Sequence, residues 1–302
     1  MGKGTGFGKV ILFNEHFVVY GIPAIASAVE KKTVAEVKRI PSGLILHDER
    51  DAVPGYKEEK KEHQQDSLNR IIRAMGVDGS LEIWLRGDLR AASGVGASAA
   101  SCTAMARAIA DEFGLDYTDG EINDVAYEGE KGYHGTPSGI DNTAATFGGL
   151  VWFQSGKMER LQMVKPVEIV MGNTGVVANT KKAVAGVRER KEKYKEKYDK
   201  IFEAANAMVH KARDALVRSD WNMVGKYMDK NHEMLQNIEV SSKELDLLVD
   251  IARNSGAYGA KMTGGGLGGY MVALTPGREL QERVAKAMEK EGFYVLRTRI
   301  GV

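Results

Sequence analysis

Cysteine is almost absent from this 302-residue chain, which contains a single one, Cys102. One cysteine excludes an intrachain disulfide, a cysteine-based zinc cluster and an iron–sulfur centre. The composition therefore favours a reducing compartment, and we expect a cytoplasmic protein. Cys102 falls inside a predicted helix, where the expected role is that of a small buried core residue.

Long apolar runs and an excess of one charge are also missing. No run of eighteen apolar residues occurs, so no membrane span is predicted, and the apolar stretch at 9–13 is too short for a signal peptide. The 42 basic and 41 acidic residues give a formal net charge of +1, which argues against nucleic acid or an anionic membrane as a partner. The overall composition is that of a globular protein large enough for two domains that share a cleft.

Glycine carries the first functional signal. The stretch Ser93-Gly94-Val95-Gly96-Ala97-Ser98-Ala99 precedes a helix that apolar spacing predicts over Ser101–Phe113. A glycine turn that leads into a helix start presents unpaired N–H groups and the positive end of the helix dipole, which suits a phosphate. The Ser98 hydroxyl could ligate a Mg²⁺ ion on that phosphate. An ordinary turn before a core helix is the alternative, and this stretch alone favours neither.

Two common nucleotide-binding patterns are excluded. No Gly-x-x-x-x-Gly-Lys-Ser/Thr string occurs, so there is no Walker loop. Gly94, Gly96 and Ala99 fit a loose dinucleotide pattern, but the predicted strand Leu81–Leu85 ends well before the first glycine. A second match at 264–269 is followed by a predicted strand rather than a helix. We therefore expect no dinucleotide site.

The predicted elements favour an α+β fold with two domains, residues 1–160 and 161–302. In the first half, repeated strands are followed by helices, 41–55 has hairpin character, and the charged run 57–66 is interpreted as a solvated face. In the second half, helices alternate with strands of antiparallel type, which indicates a split β-α-β sandwich. The helices predicted there are 188–217, 221–237, 242–255 and 279–291.

Two polar segments interrupt this pattern. Asn14-Glu15-His16 separates two strongly apolar runs, and a solvated hairpin tip is the simplest way to satisfy its polar groups. Residues 128–142 contain Pro137 and four glycines, which predicts a loop without regular structure. That loop carries Glu130, Ser138 and Asp141, and site residues tend to lie on such loops.

Taken in order, three stretches resemble the three motifs of the GHMP kinases: residues 8–16, 93–99 and 261–269. Residues 17–21 and 128–142 are further similar to the mevalonate kinase branch, so the likeness extends from about Gly6 to Leu274. The resemblance implies an N-terminal domain like ribosomal protein S5 and a C-terminal ferredoxin-like domain. It also implies that ATP phosphorylates the C5 hydroxyl of mevalonate, with both substrates bound in the cleft.

The resemblance also implies residue roles. Asp141 would be the general base, or would orient the hydroxyl, and Lys9 would lower the pKa of that hydroxyl and steady the transferred phosphoryl group. Ser98 and Glu130 would hold Mg²⁺. The amides of Ser93, Gly94, Val95, Gly96, Ala97, Ser98 and Ala99 would wrap the phosphates. Glu15, His16, Ser138 and Thr180 would line the mevalonate site.

The chain departs from the family pattern at four positions. Asn14 and Ala97 replace a glycine and a serine, Arg90 stands where a proline is common, and Leu267 enlarges the third motif. Asn is among the residues that best tolerate a positive φ, so the first turn can still form. The rival hypotheses are a kinase of another small alcohol or sugar, a decarboxylase acting on mevalonate diphosphate, and a catalytically silent ligand-sensing relative. A homodimer is compatible with each of these hypotheses.

Overall fold

The computed structural model describes residues 1–91, 94–163, 165–178 and 180–302. Ser93 of the predicted glycine turn lies outside the described residues. Within those ranges, none of the helices has both the length and the apolar character needed to cross a membrane.

The chain forms two compact units, each built from two segments. The first unit comprises residues 1–9 and 28–148, and the second comprises residues 10–27 and 149–302. Two strands, β1 (Gly2–Phe13) and β2 (Ala24–Arg39), contribute residues to both units. The division into domains 1–160 and 161–302 stays a prediction, because a compact unit is not the same thing as a domain.

The first unit packs helices against a small sheet. Besides the shared strands, its elements are β3 (Leu44–Asp48), α1 (Tyr56–Met75), β4 (Leu81–Gly87), α2 (Ala97–Phe113), α3 (Asp119–His134) and α4 (Ile140–Phe147). Strand β4 pairs antiparallel with β2 and parallel with β3. The hairpin predicted over 41–55 is therefore wrong, because β3 pairs with β4, which follows α1, rather than with an adjacent strand within 41–55. Leu68, Ile71, Met105 and Ile109 lie in the core shared by α1, α2 and α3.

The loop predicted over 128–142 is wrong at both ends, because α3 continues to His134 and α4 begins at Ile140. In α3, two glycines allow the helix to pack closely against other helices instead of forming a turn. A Cβ atom on Gly132 would lie 2.4 Å from the Ser67 backbone nitrogen, and one on Gly129 would lie 2.9 Å from the Ile71 side chain. Helices α1 and α3 thus approach closely at these two positions, and only residues 135–139 separate α3 from α4.

Strand β1 uses glycines in the same way against α2. Cβ atoms on Gly2, Gly4 and Gly6 would each come within 2.2 to 2.3 Å of a backbone carbonyl oxygen of α2. Alternate residues of a strand point to one face, so these three glycines form a bare stripe on which the helix lies. Strand and helix are in direct backbone contact along this stripe.

The second unit contains an antiparallel sheet with the strand order β10-β7-β9-β8, flanked by helices. This order is that of the split β-α-β sandwich, as predicted. The elements are β5 (Leu150–Gln154), β6 (Lys157–Leu161), β7 (Val167–Asn173), α5 (Thr180–Lys193), α6 (Lys195–Val217), α7 (Trp221–Asn237), α8 (Lys243–Asn254), β8 (Gly259–Thr263), β9 (Tyr270–Leu274), α9 (Arg278–Lys290) and β10 (Tyr294–Ile300). The single long helix predicted over 188–217 is wrong, since the chain breaks at Tyr194 into α5 and α6.

Candidate active site

Lys9 and Asp141 form an ion pair in the first unit. The Lys9 Nζ atom lies 3.1 Å from Asp141 Oδ1, and the two side chains are 4% and 30% exposed. Asp141 belongs to the first turn of α4, which follows Gly139 in a left-handed conformation with φ of 89°. The positive end of the helix dipole favours a carboxylate there. The buried Lys9 ammonium group therefore holds the Asp141 carboxylate in place, and this carboxylate is exposed enough to contact a substrate.

The glycine turn lies directly on Lys9. The Lys9 backbone N–H donates to the Val95 carbonyl at 2.9 Å, and a Cβ atom on Gly96 would lie 2.6 Å from Lys9 Cγ. Gly96 also has φ of 70° and is the N-cap of α2, so it has no side chain that covers the N–H groups of the first turn. This arrangement leaves backbone donors available to an anion beside the Lys9–Asp141 pair.

Glu130 is buried close to the same helix start. Its Oε2 atom lies 3.8 Å from His134 Nε2, and that nitrogen lies 3.4 Å from Ser98 Oγ. Burial, with help from the Asp141 charge, raises the pKa of Glu130 to about 8, although a hydrogen bond from Ser98 and the charge of Lys9 oppose the rise. The carboxyl group is therefore mostly protonated at neutral pH, and a nearby cation would ionise it.

This environment fits a divalent cation that is shared with a nucleotide. Among the described residues, no three His, Cys, Asp or Glu side chains are placed to hold a metal ion by themselves. Mg²⁺ bound with a nucleotide needs only one or two protein ligands, because phosphates and water supply the others. Glu130 and Ser98, an acidic oxygen and a hydroxyl oxygen on facing helices, provide such a pair.

The solvated hairpin tip predicted at Asn14-Glu15-His16 is wrong, because all three residues are buried. In the second unit, Glu15 forms an ion pair with Lys261, and both side chains are almost fully buried. Lys261 Nζ also donates to the Met262 carbonyl at 2.6 Å. Burial lowers the pKa of Lys261, and the Glu15 carboxylate opposes that change. Each charge is therefore tolerated in the interior because of the other.

Gly265 brings two of the predicted substrate-binding residues together in the second unit. His16 Nε2 lies 3.0 Å from the Gly265 carbonyl oxygen, and a Cβ atom on Gly265 would lie 2.1 Å from Thr180 Oγ1. Burial lowers the pKa of His16 to about 4, and the charges of Lys261 and Arg190 contribute to this shift, which the Gly265 hydrogen bond opposes. The imidazole is therefore neutral, and its Nε2–H donates to Gly265.

The predicted site residues thus fall into two groups. Lys9, Gly94, Val95, Gly96, Ala97, Ser98, Ala99, Glu130, Ser138 and Asp141 belong to the first unit, and Glu15, His16 and Thr180 belong to the second. Ser138 is exposed, and its hydroxyl accepts a bond of 3.4 Å from the Ile140 N–H at the start of α4. His134 and Lys261 were not predicted. The spacing of Glu130 and His134, four apart on one helix face, would have indicated the first of them.

Asn14 shows how the departure from the family glycine is accommodated. The residue has φ of 69°, a backbone conformation that asparagine tolerates better than most residues. Its side chain is fully buried and donates to the Pro23 carbonyl at 2.8 Å and to the Ala205 carbonyl at 3.3 Å. Asn231 donates to the Asn14 side-chain oxygen at 3.3 Å and accepts from the Asn14 backbone N–H at 3.1 Å. The amide therefore links three separate segments of the second unit.

Replacing Asn14 by alanine is expected to lower the free energy of unfolding by about 3 kcal/mol. The positive φ accounts for about 1–2 kcal/mol and the buried groups left without a partner for about 1–3 kcal/mol. Urea denaturation measures the change. Asn14→Gly loses the same side-chain hydrogen bonds but has no cost for the positive φ, so it should be less destabilising than Asn14→Ala. If the glycine variant is at least as unstable as the alanine variant, the backbone part of this explanation is wrong.

Comparison with known proteins supplies a family. Residues 64–149 match the family model "GHMP kinases N terminal domain", and residues 212–294 match "GHMP kinases C terminal". The mevalonate kinases of Pyrococcus horikoshii and Pyrococcus furiosus are 35% and 34% identical to this chain, over 97% of it and 93% and 94% of theirs. The crystal structure of L. major mevalonate kinase in complex with R-mevalonate matches with a TM-score of 0.95 and 36% identity, over 99% of this chain and 96% of that one.

Proposed function

The chain belongs to the mevalonate kinase family of the GHMP kinases, and from this membership we propose that it transfers the γ-phosphoryl group of ATP to the C5 hydroxyl of mevalonate. The observation that carries the proposal is the Lys9–Asp141 pair at 3.1 Å, with the glycine turn packed against Lys9. Phosphoryl transfer depends on positioning and on neutralising charge. Asp141 can accept the hydroxyl proton, Lys9 is a fixed cation, and the glycine turn supplies backbone amides. Together they meet both needs.

In the proposed reaction, Asp141 accepts a hydrogen bond from the C5 hydroxyl and orients its oxygen toward the γ-phosphorus. As the new O–P bond forms and the bond to ADP breaks, the hydroxyl proton passes to Asp141. Lys9 stays charged and stabilises the negative charge on the transferred group. The amides of Gly94–Ala99 bind the phosphates that are retained in ADP.

Ser98 and Glu130 are the residues that we assign to a divalent cation, which we propose to be Mg²⁺. When bound, the ion neutralises phosphate charge and orients the triphosphate. Its charge also keeps Glu130 ionised, which burial alone disfavours. His134 lies against both side chains and helps to position them.

A pH-dependent stability is expected from Glu130 in the absence of nucleotide and metal. Because its pKa in the folded state, about 8, lies above its unfolded value, the folded chain keeps a proton that the unfolded chain releases. The stability that Glu130 contributes is therefore greatest below about pH 4.5 and falls until the pH passes about 8. Glu130→Gln should remove this loss, so its stability relative to wild type should rise by a few kcal/mol between pH 5 and pH 9.

Thermal unfolding across this pH range tests the prediction. Glu128→Gln, a partly exposed position on the same helix, is the matched control and should follow the wild-type profile. Parallel profiles for wild type and Glu130→Gln would contradict the buried-carboxyl explanation.

On the acceptor side, we assign Glu15, His16, Thr180 and Ser138 to mevalonate. The neutral His16 ring and the exposed Thr180 hydroxyl suit the hydroxyl groups of a small polar alcohol. Glu15 is held in place by Lys261 and can accept a hydrogen bond without a change in its own charge state. These roles are supported by the family motifs and by the grouping of His16 and Thr180 around Gly265.

A coupled assay for ADP release tests the function. The acceptors are mevalonate, phosphomevalonate, mevalonate diphosphate, galactose and homoserine, each with Mg·ATP. Turnover with mevalonate alone is expected. Turnover only with another alcohol, release of carbon dioxide from mevalonate diphosphate, or nucleotide binding without turnover would each favour the corresponding rival. We place the activity in the cytoplasm, which the cysteine content supports, and a homodimer stays a prediction.

A further inference from the structure

The charged run at 57–66 is a helix face that is only partly solvated. It forms the first part of α1, and four of the α1 residues line a cavity: Tyr56, Lys57, Lys60 and Gln64. The same cavity is lined by Ala97 and Ser98, the first two residues of α2. We call it the α1 cavity. It opens onto the helix start that the proposed function assigns to phosphate.

A buried arginine fixes one wall of the α1 cavity. Arg50 donates to both carboxylate oxygens of Asp48, at 2.9 and 2.6 Å, so the charges of these two residues balance. Its Nη1 group donates to the Ala97 carbonyl at 3.3 Å, to Ser101 Oγ at 2.6 Å and to Thr33 Oγ1 at 3.2 Å. Arg50 thus ties the first turn of α2 to the cavity wall without adding net charge.

Two lysines add positive charge on the α1 side. Lys57 donates to the Asp48 carbonyl at 2.7 Å and is held there. Lys60 lies 2.8 Å from Glu59, its neighbour in sequence, whose side chain is 52% exposed. A pair this exposed contributes little free energy, so Lys60 can exchange Glu59 for a stronger anionic partner. Lys60 and Ser98 line the same cavity, so Lys60 lies on the side of the helix start that carries Ser98.

Neutral donors complete the α1 cavity. Burial raises the pKa of Tyr56 to about 12, and it raises the pKa of Tyr133 well above its ordinary value. Both phenols therefore keep their protons at neutral pH and can donate to an anion. Lys60, Tyr56, Tyr133 and Ser98 thus line one space.

We propose that Lys60 binds a phosphate group of the nucleotide held at the glycine turn, so that α1 supplies a cation in addition to Lys9. This inference rests on the proposed kinase function. A triphosphate carries more negative charge than one divalent cation and Lys9 can balance, and ionised Glu130 adds to the excess. Lys60 reduces that excess from the side of the phosphates that faces α1.

The test is nucleotide binding to the full chain by titration calorimetry. The ligands are the non-hydrolysable ATP analogue AMPPNP with Mg²⁺, and AMP. Lys60→Gln is expected to weaken AMPPNP binding roughly tenfold, the effect of losing one ammonium–phosphate contact in a partly solvated site, and to leave AMP binding within about twofold. Lys60→Arg keeps the charge and should bind AMPPNP nearly as well as wild type.

Lys61→Gln is the matched control, because it removes the same charge from the neighbouring, fully solvated position on α1. The inference is overturned if the variants at 60 and 61 weaken AMPPNP binding equally, or if Lys60→Gln weakens the binding of AMP as much as that of AMPPNP. It is also overturned if Lys60→Gln binds AMPPNP as wild type does. If wild type itself binds no AMPPNP, the proposed function fails instead. Lys60→Met, with its melting temperature measured, provides a second neutral side chain should the glutamine variant be unstable.

Discussion

Replacing Asp141 by asparagine is expected to lower kcat by about 10²–10⁴-fold, while the Kd for Mg·AMPPNP changes by less than about threefold. The amide keeps the shape of the side chain but cannot take the hydroxyl proton. Phosphate binding is assigned to the glycine turn and to the cation ligands, so it should survive. Coupled kinetics and calorimetry on the same preparation measure the two quantities.

Two further variants make this result specific. Asp124→Asn, an exposed position on α3, controls for the loss of one carboxylate and should keep full activity. Lys9→Met combined with Asp141→Asn should cost little more than the stronger single change, because residues that act as a unit are not additive. Near-normal kcat in a folded Asp141→Asn protein would contradict the assigned role.

The second large effect is expected from the buried pair in the second unit. Lys261→Met should lower the free energy of unfolding by about 3–5 kcal/mol, because it leaves the Glu15 carboxylate buried without its cation. Adding Glu15→Gln removes the unpaired carboxylate charge, so the double variant should regain a large part of the lost free energy of unfolding. Urea denaturation of wild type, the two single variants and the double variant, with fluorescence detection, gives the coupling energy.

Lys226→Met serves as the control for the second prediction, because Lys226 is exposed on α7 and its loss should change stability by less than about 0.5 kcal/mol. If the double variant is as unstable as the sum of the two single variants, Glu15 and Lys261 do not stabilise each other. Activity of the double variant should be low in either case, since Glu15 is also assigned to mevalonate.

Much of the candidate site could be predicted from the sequence, because short motifs encode local geometry. The glycine turn before α2 and the positive φ of Asn14 both follow from backbone preferences that a few residues reveal. The roles given to Lys9 and Asp141 came from the family motifs rather than from spacing, since the two residues are far apart in the chain. In the structure, the glycine turn leads into α2, Asn14 has a positive φ, and Lys9 Nζ lies 3.1 Å from Asp141 Oδ1.

The errors have a common physical cause in packing. Gly129 and Gly132 were interpreted as helix breakers, but they are needed because α1 and α3 are in close contact. Asn14, Glu15 and His16 were interpreted as solvated because their neighbours in sequence offer no partners. Their partners Asn231 and Lys261 lie 217 and 246 positions along the chain from Asn14 and Glu15. A single sequence does not reveal pairings over such distances.

The bare glycine stripe of β1 has a mechanical consequence. Strand β1 carries Lys9 just beyond Gly6, and α2 carries Ser98 in its first turn. Along Gly2, Gly4 and Gly6 the backbone of the strand lies against the backbone of the helix, so the strand has no side chain there that could change rotamer and let the two elements slide. The lysine and the phosphate-binding turn are therefore parts of one rigid piece. We therefore expect any motion that admits ATP or releases ADP to carry both together, with little change in the spacing between Lys9 and the amide cradle.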